Sequence, residues 1–297
     1  MKKFYLFILL FSLLNTFSAL ADNDESKKSF ISKLSNTISS SIEGMVGGEG
    51  DTEFQITGAE DYKPEFTILA VRPISLHPEV DAWFVQMQLN ETKIRGNGRL
   101  SVNAGLGYRK LSANKNAFSG GNIFVDYDEE GNARASLGLE LRSSAFETFF
   151  NYYSAISGDQ TVGSFTERVL DGYEFTVVGE LPYLPWANLV ANHYHWEAEK
   201  NTNNSEGDKV SLELTLTQNF IIEAGHDNNN NDGDSNFVKA YLVFPGKDRP
   251  SASTNFIGES AFSNIDMSGE LLSKVRRTNK VVIESEGTGV VMSRGLN

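Results

Sequence analysis

The sequence predicts an all-β protein: a twelve-stranded antiparallel transmembrane β-barrel with a short N-terminal helix and a short C-terminal linker or plug segment. Three observations carry that expectation. Long stretches alternate apolar and polar residues with period two, which gives a strand two chemically different faces. A secretion signal opens the chain, and no later stretch is apolar enough over about 20 residues to cross a bilayer as a helix. Cysteine is absent, so disulfides cannot hold an exported chain together, whereas a closed sheet can do so through hydrogen bonds.

The elements follow in order. Residues 1–21 read as the signal peptide, with Lys2 and Lys3 as basic flank, Phe4 to Leu14 as apolar run and Ala19-Leu20-Ala21 as cleavage motif. Residues 22–50 form a leader. There Phe30, Leu34, Ile38, Ile42 and Met45 recur at helical spacing until Gly47-Gly48 and Gly50 interrupt them. Residues 51–244 hold the twelve strands, expected over 52–57, 65–72, 81–90, 99–109, 118–127, 132–142, 146–156, 172–181, 188–197, 209–217, 220–226 and 235–244. Residues 245–297 are the linker, plug or vestigial passenger. A short helix is expected there near Leu271, Leu272 and Val275, and short strands near Lys280–Glu284 and Gly289–Met292.

Which face looks out decides between two architectures. Leu100, Val102, Ala104, Leu106 and Tyr108 share one parity, as do Ile123, Val125 and Tyr127, and Ala133, Ala135, Leu137, Leu139 and Leu141. The opposite parity carries Asn103, Arg109, Asn122, Phe124, Asp126, Arg134, Glu140 and Arg142. A soluble sandwich turns the apolar set inward; a membrane barrel turns it toward lipid and keeps the polar set in the lumen. In a barrel entered from the periplasm, the long connections 157–171, 198–208 and 227–234 fall on the outer side. The short ones at 143–145, 182–187 and 218–219 fall on the inner side, as barrels prefer. Segments 73–80 and 110–117, long but on the inner side, and 128–131, short but on the outer side, break that trend. Tyr108, Tyr127, Phe146, Tyr152, Tyr173, Tyr194, Trp196 and Phe244 lie near strand ends, where barrels place aromatic girdles.

Several segments then resemble the β-domain of inverse autotransporters, the intimin/invasin family. They are Gly105-Leu106-Gly107-Tyr108-Arg109, Asn122 to Asp128 with Asp126 and Tyr127, Leu137 to Leu141, Asn151-Tyr152-Tyr153, Glu167-Arg168 with Asp171-Gly172-Tyr173, and Leu181 to Trp186. Val275 to Val281 is similar to the family's linker. The resemblance implies an outer-membrane barrel of a Gram-negative bacterium, inserted by the barrel-insertion machinery. It also implies that the chain after the last strand returns through the pore and exports a passenger. No stretch after residue 245 has the strands of an immunoglobulin-like domain of about 100 residues, so adhesion is not implied.

Composition narrows the function further. Thirty-nine acidic against 26 basic residues give a net charge of −13, which argues against nucleic acid as a partner. Arg109, Asp126, Arg134, Glu140 and Arg142, with Glu147, are expected to face the lumen as interstrand ion pairs. Their mixed sign suits structure better than ion selection. His193 and His195 share a face, but no third ligand converges: His226 has the opposite, outward parity and His77 sits in a turn. Lumen-lining histidines are therefore expected rather than a metal site. Residues 227–234, rich in Asn and Asp, fail the calcium-loop pattern. No serine sits in a nucleophile motif, so neither catalytic residue nor cofactor is expected. The expected function is a non-enzymatic translocator that exports or displays its short tail, or a separately encoded partner. The alternatives are a structural or pore-forming barrel that exports nothing and a soluble sandwich or lectin.

Overall fold

The structure, a computed structural model, describes residues 49–59, 62–94, 97–201, 203–231, 233–246, 249–287 and 290–294. The signal peptide and the helix expected over Phe30 to Met45 lie outside the described residues. Strands β1 (Thr52–Ala59), β2 (Tyr62–His77), β3 (Asp81–Ile94), β4 (Asn97–Leu111), β5 (Ala117–Asp128), β6 (Ala133–Ser143) and β7 (Phe146–Ala155) make the first part of the wall. Two short strands, β8 (Gln160–Val162) and β9 (Phe165–Val169), interrupt it. The wall resumes with β10 (Gly172–Leu181), β11 (Leu184–Trp196), β12 (Ser205–Thr215), β13 (Phe220–Asn229) and β14 (Gly233–Phe244). β7 pairs directly with β10, and β1 pairs with β14 from Thr52↔Phe244 to Ala59↔Phe237, closing a twelve-stranded antiparallel barrel. The end where β1 starts and β14 stops is called the terminal end below; the other is the far end.

The wall's chemistry decides between the two architectures. Leu137 and Leu139 are 55% and 59% exposed on the outside of β6, with Leu141, Ile123, Phe150, Phe175, Leu189, Leu212 and Val238 exposed around the circumference. Such a continuous apolar exterior is unstable in water and suited to hydrocarbon. A sandwich that packs Leu137 and Leu139 into a dry core is overturned by that exposure. Tyr127 has outward register but is buried, because it packs with Ala133 and Leu100 near the rim.

Several boundaries differ from expectation. β2 continues through Pro73 to His77, because a register shift between Pro73 and Ser75 accommodates a residue that cannot donate to the ladder. The expected loop 73–80 thus shrinks to a turn at 78–80, and the loop at 227–234 contracts as β13 and β14 lengthen. The connection at 157–171 holds the β8–β9 hairpin. In the tail no helix forms around Leu271. One 3₁₀ turn, Met267–Glu270, precedes an irregular stretch, and the strands are β15 (Ile283–Gly287) and β16 (Val290–Arg294). They join β9 and β8 in a separate four-stranded sheet at the far end.

Leu139 sits mid-strand on the outer face, so Leu139→Arg is expected to cost about 2–4 kcal/mol. Urea-dependent folding into lipid vesicles, read by heat-modifiable gel migration, checks this; an unchanged midpoint would place Leu139 away from lipid.

Candidate functional site

The barrel is not empty. From Phe244 the chain skirts the terminal rim, turns inward at Met267 and threads the lumen as residues 271–282 before joining β9 at the far end. Every level of the lumen holds it.

At the terminal end the contact is apolar. Met267, Leu271, Leu272 and Val275 pack with Leu69, Val71, Phe84, Leu111, Phe118 and Phe124. Directly above, Arg109 grips Glu140 through two nitrogens at 2.6 and 3.1 Å, and donates to the carbonyls of Leu271 and Ser273 at 2.9 and 2.6 Å. Arg142 donates to the Ser273 hydroxyl at 2.5 Å and pairs with Glu147 at 2.7 Å. The glycines of β4 make this possible. A Cβ on Gly107 would stand 2.2 Å from the Phe84 ring, and one on Gly105 2.3 Å from Phe124. Only glycine lets those rings lie flat against the wall. They then form floors for Arg109, 4.4 Å above Phe84, and Arg277, 4.3 Å above Phe124.

The middle level is ionic. Asp126 accepts both terminal nitrogens of Arg277, at 2.8 and 2.6 Å, and Arg134 Nε at 2.7 Å. All three side chains are fully buried. Asp126 therefore joins wall to thread, since Arg134 belongs to β6 and Arg277 to the tail. Arg276 reaches the opposite wall and holds Glu213 bidentately at 2.9 and 2.7 Å. Thr278 donates its amide and hydroxyl to Glu174, both at 2.7 Å, while its carbonyl accepts from Arg134 at 2.5 Å. Lys274 pairs with Glu53 at 2.7 Å, and Lys280 pairs with Glu65. Fork-shaped guanidinium–carboxylate pairs fix geometry as well as charge.

At the far end apolar contact returns. Val281 and Ile283 pack with Val169, and Val282 lies among Tyr153, Leu170, Tyr194 and Trp196. Glu167 is fully buried between Arg99, at 2.6 and 3.0 Å, and Asn132, at 2.8 Å. Arg168 bridges Asp159 at 3.0 Å and Glu286 of the tail at 2.9 Å. Asp171 accepts the Ala155 amide at 2.6 Å, and Gly172 lies against Trp196 with no room for a Cβ. Tyr108 instead sits at the terminal rim, half-exposed, its hydroxyl 3.1 Å from Asp81.

Two expectations are corrected here. Tyr194 and Trp196 point inward and are buried, so they belong to the core of the far end and not to a girdle. His193 and His195 consequently face outward. His193 lies 2.9 Å from Asp208, and His195 stacks on Tyr173 at 5.4 Å. They do not line the lumen, and among the described residues no set of three metal-ligating side chains converges. The signal missed was the run Asn192 to Trp196, where both parities hold polar and aromatic residues. The far-side partners Glu53, Glu65, Glu174 and Glu213 were missed too, since no spacing links them to the tail.

Asp126→Asn is expected to strand two buried guanidiniums and cost about 3–5 kcal/mol. Arg277→Gln leaves Asp126 paired with Arg134 and is expected to cost only about 1–3 kcal/mol. Urea midpoints of the two variants in vesicles test that order; equal midpoints would dissolve the shared role of Asp126.

Comparison with known proteins agrees with this architecture. The chain covers 99% of a membrane protein determined in work on in-meso crystallization, with 80% of its own length aligned, 18% identity and a TM-score of 0.65, a likeness of fold. Weaker likenesses include the KdgM porin, at 7% identity and a TM-score of 0.46 over 65% of this chain and 98% of that one. Omp33 of Acinetobacter baumannii is another, at 10% identity and 0.42 over 65% and 97%. No curated protein matches in sequence. The profile of the inverse autotransporter β-domain matches residues 11–279, reaching past the wall into the lumenal thread. The chain belongs to the inverse autotransporter β-domain family, as an outer-membrane β-barrel of a Gram-negative bacterium.

Proposed function

We propose that this barrel carries its own C-terminal segment through its lumen and displays residues from about 283 onward at the cell surface, catalysing no reaction. In this reading the terminal end faces the periplasm. The observation that carries it is the unbroken course of residues 271–282 between the two mouths, with partners at each level. Extended, that stretch reaches up to about 40 Å, enough for a hydrocarbon core of about 30 Å. Its backbone carbonyls at Leu271, Ser273, Arg276, Thr278 and Asn279 are each met by a wall side chain. The wall is thus built to solvate an extended peptide, which a pore for ions or sugars does not need.

Arg109, Asp126, Arg134, Glu140 and Arg142 take the role of a clamp on that peptide. Glu167, Arg168, Asp171 and Gly172 shape its exit and hold the surface sheet against it. Gly107 gives Phe84 its place beneath Arg109, while Tyr108 and Tyr127 brace the two rims. Outer-membrane lipid surrounds the wall, and Leu242-Val243-Phe244 closes β14 with the aromatic ending that would engage the insertion machinery. A separately encoded partner enters only as a ligand of the displayed segment.

An epitope appended after Asn297 is expected to be reached by antibody on intact cells. Protection until the outer membrane is permeabilised would favour a closed barrel that exports nothing. In planar bilayers, truncation after Pro245 is expected to raise single-channel conductance above that of the full chain; equal conductance would remove the thread from the pore.

A further inference from the structure

Between the wall and the thread, residues 251–266 form a belt that neither part accounts for. It follows the terminal rim, crossing the turns in reverse chain order. The Ala252 and Ser253 amides donate to the Thr215 and Leu216 carbonyls at 2.9 and 3.2 Å. The Gly258 amide donates to Tyr183, and the Tyr183 amide donates back to Ala261, both at 2.9 Å. The Ser144 hydroxyl donates to the Ser263 carbonyl at 2.7 Å, and the Ser263 amide to Glu180 at 2.9 Å. The Met267 amide ends the belt on the Lys115 carbonyl at 2.8 Å.

With its backbone tied to the rim, the belt turns large apolar side chains outward. Phe256 is 62% exposed, Ile257 69%, Phe262 52% and Ile265 37%. Glu259 is the one charged residue between Ser251 and Ile265. Four such side chains in so short a stretch form a patch of the kind that marks an interface. The neighbouring surface says what covers it. Ala261 and Ser263, flanking Phe262, are bonded to the turns that carry exposed Tyr183 and, just past Ser144, exposed Phe146 of the outer wall. Trp186 stacks on Phe256 at 5.5 Å and donates its indole N–H to the Phe256 carbonyl at 2.9 Å. The apolar exterior therefore passes from wall to belt through aromatic residues, which favour the headgroup boundary.

We propose that residues 251–266 are a lipid-seated collar: Phe256, Ile257, Phe262 and Ile265 insert at the headgroup–acyl boundary of the periplasmic leaflet and fix where the tail enters the lumen. The inference rests on the outer-membrane reading with the terminal end toward the periplasm, and does not require that the tail be exported.

The absence of cysteine allows a direct test. Ile257→Cys, Phe262→Cys, Glu259→Cys and, as a wall reference, Leu139→Cys are each labelled with a nitrobenzoxadiazole probe in the full chain. Each variant is folded into phosphatidylethanolamine–phosphatidylglycerol vesicles. Doxyl-labelled acyl chains are expected to quench the labels at 257 and 262 by roughly half or more, and aqueous iodide to quench them several-fold less than the label at 259. Free iodide quenching at 257 and 262 overturns the collar, and so does protection from both quenchers, which would mean cover by a second copy. Failure of the Leu139 reference to respond to doxyl lipid would instead break the membrane reading itself.

Discussion

A charge enclosed by a hydrocarbon-facing wall cannot be left alone. Asp126, Arg134 and Arg277 show how this barrel meets that constraint: one carboxylate neutralises a guanidinium from the wall and another from the tail, with all three out of water. Isolated burial of any of them would be costly, and excellent geometry with added hydrogen bonds is what offsets the loss of hydration. Arg134 stacks 4.3 Å over Tyr153, and Arg277 lies over Phe124, so the cations are also packed on aromatic faces. The wall's polarity and the tail's basic residues are two halves of one arrangement.

That arrangement explains why neighbouring residues on β4 look so unlike. Gly105 and Gly107 are small because the Phe124 and Phe84 rings lie across them; Phe84 in turn supports Arg109 of the same strand, and Phe124 supports Arg277 of the tail. Outside the wall the same strand offers Leu106 to lipid and Tyr108 to the rim. Period two lets a single segment satisfy hydrocarbon and a charged interior together.

Alternation made the wall legible: each of the twelve strands has an expected counterpart, and Leu137 and Leu139 point where their parity requires. Boundaries were less legible where a local rule was overridden. Pro73 reads as the start of a loop, yet a bulge keeps β2 going. The inward turn of Tyr194 and Trp196 was hidden because His193 and His195 look as polar as a lumen needs. The charged residues of the site announce a face but not a partner. Asp126 and Arg277 are separated by 151 positions, and an irregular thread has no periodicity to betray it.

The thread also has a topological consequence. A ring closed by the pairing of β1 with β14 encircles a strand of its own chain, and that strand is broad at both ends. On one side it widens into the sheet of β15 and β16 against β9, and on the other into the rim-bound segment. Because the rim-bound segment is covalently continuous with β14, the thread can leave only through the terminal mouth. It can do so only after the sheet of β15 and β16 with β9 is taken apart or the ring is opened, so its integrity is guarded by bulk as well as by attraction.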